Sequence, residues 1–88
     1  MTLLPFFKMM AEKQATDLFL TAGAPIRVKI QGETVPVNNQ VLNSEHVKQL
    51  AYQLMSPEKI RDFEADLEMN LGYPVEGIGN FRVNIFRQ

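Results

Sequence analysis

The sequence predicts an α+β domain with one sheet and helices mostly on one of its faces, in the order helix, three strands, two helices, two strands. Three stretches carry that expectation. In the last twelve residues, Gly77-Ile-Gly-Asn-Phe-Arg-Val-Asn-Ile-Phe-Arg-Gln88, the chemistry alternates from Phe81 onward. Side chains at i and i+2 share a strand face, so Phe81, Val83 and Ile85 face a core. Arg82, Asn84 and Gln88 face the other way, interrupted only by Phe86. Ile26-Arg-Val-Lys-Ile30 alternates in the same manner. Between these strands, Val47, Leu50, Ala51 and Leu54 recur at i, i+3, i+4 and i+7, the period of a helix.

Taken in order, Leu3, Phe6, Phe7 and Met10 recur at helical spacing, Thr2 can cap the segment, and Pro5 falls in the first turn where its missing N–H costs little. Residues 1–13 therefore read as a surface helix packing an apolar stripe on the core. The period then changes. Asp17-Leu-Phe-Leu-Thr21 is a short run of strand formers, and Ala22-Gly-Ala-Pro25 is a turn cluster. On the next strand Ile26, Val28 and Ile30 take the core face, while Arg27 and Lys29 take the solvent face, where a basic pair discourages sheet association. Gln31-Gly32 supplies a turn tolerant of positive φ, and Thr34-Val-Pro-Val37 returns. Pro36 cannot donate to a ladder, which places that strand at an edge or ends it early.

Asn38-Asn-Gln40 closes the strand section. Ser44 is the expected N-cap of the next helix, with Glu45 favouring the positive end of the dipole. Ser56-Pro57 starts another, whose narrower stripe is Ile60, Phe63 and Leu67. These two helices are expected to cover one sheet face. Met69, Leu71, Tyr73 and Val75 alternate with Glu68, Asn70, Gly72 and Pro74, which predicts a further strand, and Glu76-Gly-Ile-Gly-Asn80 turns it into the last one. Gln88 stops a strand whose pattern has not run out, which is expected either of a chain cut from something longer or of a natural terminus inside a sheet.

Eighty-eight residues make one small domain, because so short a chain buries only ~60 to 65% of the surface it exposes unfolded. With 45% hydrophobic and 22% charged residues it is globular. A formal charge of −1, with no basic run, offers nothing to draw in nucleic acid. Lys8 breaks the N-terminal apolar run long before the ~18 residues of a membrane span, so no membrane insertion is expected. Cysteine is absent, which excludes disulfides and thiolate metal sites and suits a reducing compartment.

Self-contained catalysis is mostly excluded by what is missing. There is no phosphate loop of the G-x-x-x-x-G-K-[ST] type, no G-x-S-x-G, and one histidine, His46, early on a helix at a solvent-facing position without a metal or catalytic cluster around it. Glu64 and Glu68, at i and i+4, read as a mildly repulsive surface pair rather than an acid/base dyad. Gly77 and Gly79 precede a strand, where a phosphate site needs a helix N-terminus. The chain thus holds no catalytic residue and no metal site of its own. What remains is the polar face of the last strand. Arg82, Asn84 and Gln88 suit a phosphate or carboxylate, since arginine offers a rigid fork of donors that keeps its charge; equally, such a face can simply be solvated.

Ala15-Thr-Asp-Leu-Phe-Leu-Thr-Ala-Gly-Ala-Pro25, Ile30-Gln-Gly-Glu33, the Ser-Pro-Glu-Lys-Ile-Arg-Asp-Phe-Glu helix and the closing Gly77-Ile-Gly-Asn-Phe-Arg-Val-Asn-Ile-Phe-Arg-Gln88 together resemble the N-terminal domain of the type IV pilus retraction ATPases. This is the twitching-motility PilT/PilU family of secretion ATPases. The resemblance runs along the whole chain, and the last motif is its most specific part.

The resemblance implies that residues 1–88 form an N-terminal PAS-like domain, α+β with a single antiparallel or mixed sheet, preceding a RecA-like ATPase domain that is absent from this chain. It further implies a cytoplasmic homo-hexamer, peripheral to the inner membrane at the pilus base, engaging the pilus inner-membrane platform protein. The domain would pack on the neighbouring subunit's ATPase domain and help close a cleft for ATP and Mg, neither of which this piece would bind alone. Arg82 falls on the arginine of the family's F-R-V-N strand and becomes the candidate for nucleotide-phosphate sensing, with Asn84 and Gln88 supporting it on the same face. Two other roles compete: a PAS-like small-molecule sensor, which needs a roomy apolar pocket with inward polar groups, and a structural adaptor that only builds the ring.

Overall fold

The computed structural model describes residues 2–87. The elements follow the predicted order: α1 (Leu4–Lys13), β1 (Ala15–Thr21), β2 (Pro25–Ile30), β3 (Glu33–Val41), α2 (Ser44–Tyr52), α3 (Pro57–Asp66), β4 (Glu68–Val75) and β5 (Gly79–Phe86). The five strands form one sheet in the order β3-β2-β1-β5-β4. Its central pair, β1 and β5, is parallel, and every other pair is antiparallel. The sheet is therefore mixed.

Alternation along the strands sends one set of side chains beneath the helices. Leu18 and Leu20 from β1, Ile26 and Val28 from β2, Leu71 from β4, and Phe81, Val83 and Ile85 from β5 are buried there. Against them pack Leu3, Phe7 and Met10 from the α1 region and Val47, Leu50 and Ala51 from α2. Phe7 stacks on Tyr73 at 5.3 Å with 22° between the rings, and lies 5.3 Å from Phe81, tilted by 35°. Offset contacts at such distances add to plain area burial. No polar or charged residue is buried among the described residues.

Which helices cover the sheet differs from the sequence expectation. The layer over β1 and β5 is made by α1 and α2, whereas α3 packs on β4 and inserts Phe63, fully buried. Leu67 is not a member of an α3 stripe. It ends the helix as a left-handed C-cap with φ 61° and remains 38% exposed.

Helix starts also shift by a residue. Leu3, not Thr2, is the N-cap of α1 and makes no side-chain cap; its burial fixes the entry of the chain, and Pro5 sits in the first turn as expected. For α2 the cap is Asn43 rather than Ser44. Its Oδ1 accepts from the His46 N–H at 2.8 Å, while His46 Nδ1 accepts from the Asn43 N–H at 3.2 Å. The exposed histidine thus completes a capping box. Ser56 caps α3 as predicted, accepting from the Lys59 N–H at 3.3 Å. Strand β3 runs on to Val41 through Asn38–Gln40 instead of closing there, and Pro36 lies on the sheet's edge strand, as its missing donor requires. Gln31 and Gly32, at φ 50° and 83°, make the β2–β3 turn.

Two substitutions measure this framework. Phe63→Ala is expected to cost about 3–5 kcal/mol, because it empties the one fully buried α3 position. Asn43→Ala is expected to cost about 0.5–2 kcal/mol through loss of the cap. Denaturant unfolding of each variant reads the difference, and an Asn43→Ala protein with unchanged stability would deny the capping box a role.

Candidate functional site

The other sheet face carries no fully buried residue and no helix packed across it. Strand register arranges it in rows. In the first, Thr34, Lys29, Asp17, Arg82 and Gly72 lie side by side across β3, β2, β1, β5 and β4. The second holds Pro36, Arg27, Phe19, Asn84 and Asn70, and the third sets Thr21 beside Phe86 and Glu68. Charges thus alternate in the first row, basic, acidic, basic.

Arg82 stands on this face as the sequence predicted. Its side chain is 69% exposed, and its Nε lies 4.0 Å from Asp17 Oδ2. That is an ion contact too long for a hydrogen bond. At 4 Å in a water-like surrounding the attraction is about 1 kcal/mol, and exposed pairs of this kind contribute ~0 to 1 kcal/mol. The carboxylate consequently biases the guanidinium without locking it in a hydrogen bond. Asn84, by contrast, is committed internally: its Nδ2 donates to Asp17 Oδ2 at 3.2 Å and to the Leu18 carbonyl at 3.4 Å. Gln88, the third residue assigned to this face from sequence, lies outside the described residues.

Two residues missed by sequence reasoning complete the picture. Asp17, whose side chain is only 15% exposed, accepts from Thr16 Oγ1 at 2.8 Å as well as from Asn84. The signal for it was available, since Asp17, Phe19 and Thr21 alternate with buried Leu18 and Leu20. The second is Arg87. Its Nη1 donates to both oxygens of Glu64 at 3.1 and 3.0 Å and its Nε to Ser44 Oγ at 3.2 Å, tying the end of the chain to α3 and the start of α2. Glu64 is therefore held by a cation rather than repelled by Glu68.

Arg27 departs from the expectation of a merely solvated basic residue. Its Cζ lies 5.6 Å from the centre of the Phe19 ring, its Nη2 donates to Thr21 Oγ1 at 3.1 Å, and its Nε is buried without a partner. The neighbours in the second row enclose it. Of the two arginines on the open face, only Arg82 is free to meet an anion.

At the far end of the strands, α3 borders a trough of about 760 Å³ lined by Phe19, Thr21, Asn84, Phe86 and the carboxylates of Asp62, Asp66 and Glu68. It is an open surface hollow and not a cavity within the core. Among the described residues no group of three or more His, Cys, Asp or Glu could hold a metal ion. No helix among them is long and apolar enough to cross a membrane.

The mixed five-stranded sheet with its three helices makes an α+β domain, and the comparisons place that domain among pilus-motor ATPases. In sequence and fold the chain belongs with the N-terminal domain of the PilT/PilU family. It is 37% identical over 81 residues to the type IV pilus ATPase PilU of Pseudomonas aeruginosa, a match covering 92% of this chain and 21% of that protein. With the retraction ATPase PilT of the same organism it shares 36% over 78 residues, covering 89% of this chain and 23% of PilT. The crystal structure of the pilus retraction motor PilT with bound ADP superposes with a TM-score of 0.78 at 31% identity, over 100% of this chain and 26% of that one. This chain therefore spans about a fifth to a quarter of the relatives it matches. No protein-family model matches it.

The geometry separates the two arginines as structural elements. Arg27→Ala is expected to destabilise by about 1–2 kcal/mol, through loss of the Phe19 and Thr21 contacts. Arg82→Ala is expected to stay within ~1 kcal/mol. Thermal unfolding of the two variants side by side checks the order.

Proposed function

We propose that this chain is the N-terminal, PAS-like domain of a hexameric, ATP-driven motor of type IV pilus retraction, and that Arg82 faces the nucleotide phosphates when the domain closes on an ATPase domain. The observation that carries this reading is the exposed Arg82 guanidinium on an uncovered sheet face, approached among the described residues only at its Nε side. A planar fork of that kind matches phosphate oxygens in pairs. The kinship with PilT, whose solved structure holds ADP, supplies the nucleotide. Bound ATP with Mg supplies the phosphoryl group, on whose oxygens charge develops during transfer.

In this reading the sheet's polar face is one wall of a cleft whose other wall, with the phosphate loop and the carboxylates for Mg, belongs to a RecA-like domain following in the full-length protein. Arg82 would reach across to the developing charge, and the helix-covered face would keep the strand rigid behind it. Packing of the domain on the next subunit of a homo-hexamer, work in the cytoplasm against the inner membrane, and engagement of the pilus platform protein are part of the same proposal, which the kinship with PilT and PilU supports. The sensor reading draws no support from the fold. No buried polar residue among the described residues lines the core, and the hollow beside α3 is an open trough edged by carboxylates rather than an enclosed apolar pocket.

Steady-state ATP hydrolysis by the full-length protein tests the proposal. Arg82→Ala is expected to lower turnover by on the order of 10³, the lower range for an arginine acting on phosphoryl-transfer charge. Arg82→Lys keeps the charge but not the fork, and is expected to recover only part of the rate. Lys8→Ala is the control, an exposed basic residue on α1, away from the polar face. Full turnover in Arg82→Ala would leave the arginine an adaptor contact or a solvated side chain. Calorimetry on the 88 residues alone is expected to show no micromolar ATP binding, because the backbone cradle and lysine of a phosphate loop are not in this sequence.

A further inference from the structure

We infer that Asp17 is a positioning residue for Arg82, holding its guanidinium by the stem side so that the terminal nitrogens point away from the sheet toward an incoming phosphate. The inference rests on the reading of Arg82 as the phosphate-facing group and adds to it a residue on a different strand.

The parallel pairing of β1 with β5 sets Asp17 directly beside Arg82. The two side chains differ sharply in freedom, with Asp17 15% exposed and Arg82 69%. Asp17 is fixed before the arginine arrives: Thr16 Oγ1 donates to its Oδ1 at 2.8 Å, and Asn84 Nδ2 to its Oδ2 at 3.2 Å. Asn84 is itself steadied by the Leu18 carbonyl at 3.4 Å. The carboxylate then meets Arg82 at Nε, 4.0 Å away, which leaves Nη1 and Nη2 without a partner among the described residues. Charge orients the group, and the absence of a short hydrogen bond lets it extend. Asn84, assigned from sequence as a supporting donor on the same face, supports by holding Asp17. A phosphate-binding arginine gains from such preorganisation because fewer rotamers are surrendered when the anion is met. Lys29 flanks Asp17 on its other side in the register.

Hydrolysis by the full-length protein, with melting temperatures of the same preparations, tests this. Asp17→Asn is expected to lower kcat about two- to fivefold, the range of an exposed ion pair, with KM for ATP nearly unchanged. Asp17→Glu, which keeps the charge, is expected to restore most of the rate. In an Arg82→Ala background Asp17→Asn is expected to cause no further loss, the coupling a purely structural role would not show. Asp17→Asn with unaltered kcat, or an equal loss with and without Arg82, would overturn the inference while the phosphate role of Arg82 stands. Full turnover in Arg82→Ala fails differently, since it removes the phosphate reading and the positioning role with it.

Discussion

The parallel pairing of β1 with β5 is the constraint on which the rest of the molecule depends. These strands are far apart in sequence and closed together at the centre of the sheet, so their register fixes both faces at once. On one side it joins Leu18 to Val83 and Leu20 to Ile85, all at most 3% exposed, and these form the floor on which α1 and α2 rest. On the other it joins Asp17 to Arg82 and Phe19 to Asn84. Because the side-chain period is two, a slip of one residue would exchange the faces and place Asp17 and Arg82 under the helices. Burying that pair costs several kcal/mol per ion. The hydrophobic floor therefore enforces the polar face as firmly as it builds the core.

Much of this was legible in the sequence wherever a residue's fate depends on its immediate neighbours. Alternation placed Phe81, Val83 and Ile85 inward and Arg82 outward, Pro36 marked an edge strand, and Ser56-Pro57 opened a helix. What escaped depends on neighbours distant in the chain. The enclosure of Arg27 needs Phe19 and Thr21 across the hairpin, and the pairing of Glu64 needs Arg87 from the far end of β5. The cap of α2 fell on Asn43 rather than Ser44 because His46 can return the bond to the Asn43 N–H, a reciprocity that a serine count does not reveal. Leu67 kept helical spacing but was taken by a left-handed cap, which turns the chain into β4 and removes it from the α3 stripe.

Arg87 does for α3 what the aromatic cluster does for α1. Helix α3 inserts a single fully buried side chain, Phe63, and leaves most of its length in water. Such a helix has little apolar area to hold it. The bonds from Arg87 Nη1 to both Glu64 oxygens, with that from Nε to Ser44, fasten it to β5 and α2, and the Arg87 N–H donates to the Leu67 carbonyl at the cap. Arg87, immediately after β5, thus continues the work of the strand, bracing α3 beside the open face.

The open face carries two arginines that differ in what they can meet. Arg27 and Arg82 sit on the same side of the same sheet, with β1 between their strands, and carry the same guanidinium. Their surroundings divide them. Arg27 has an aromatic ring and a hydroxyl to replace the water it has lost, and its guanidinium would give up both to turn outward. Arg82 has a carboxylate at a distance where attraction remains and a hydrogen bond does not, so an anion competes with little. Arginine on a sheet face is common; one that is aimed yet unspent needs a partner close enough to orient it and too far to keep it, and Asp17 is placed at that separation by the pairing of β1 with β5.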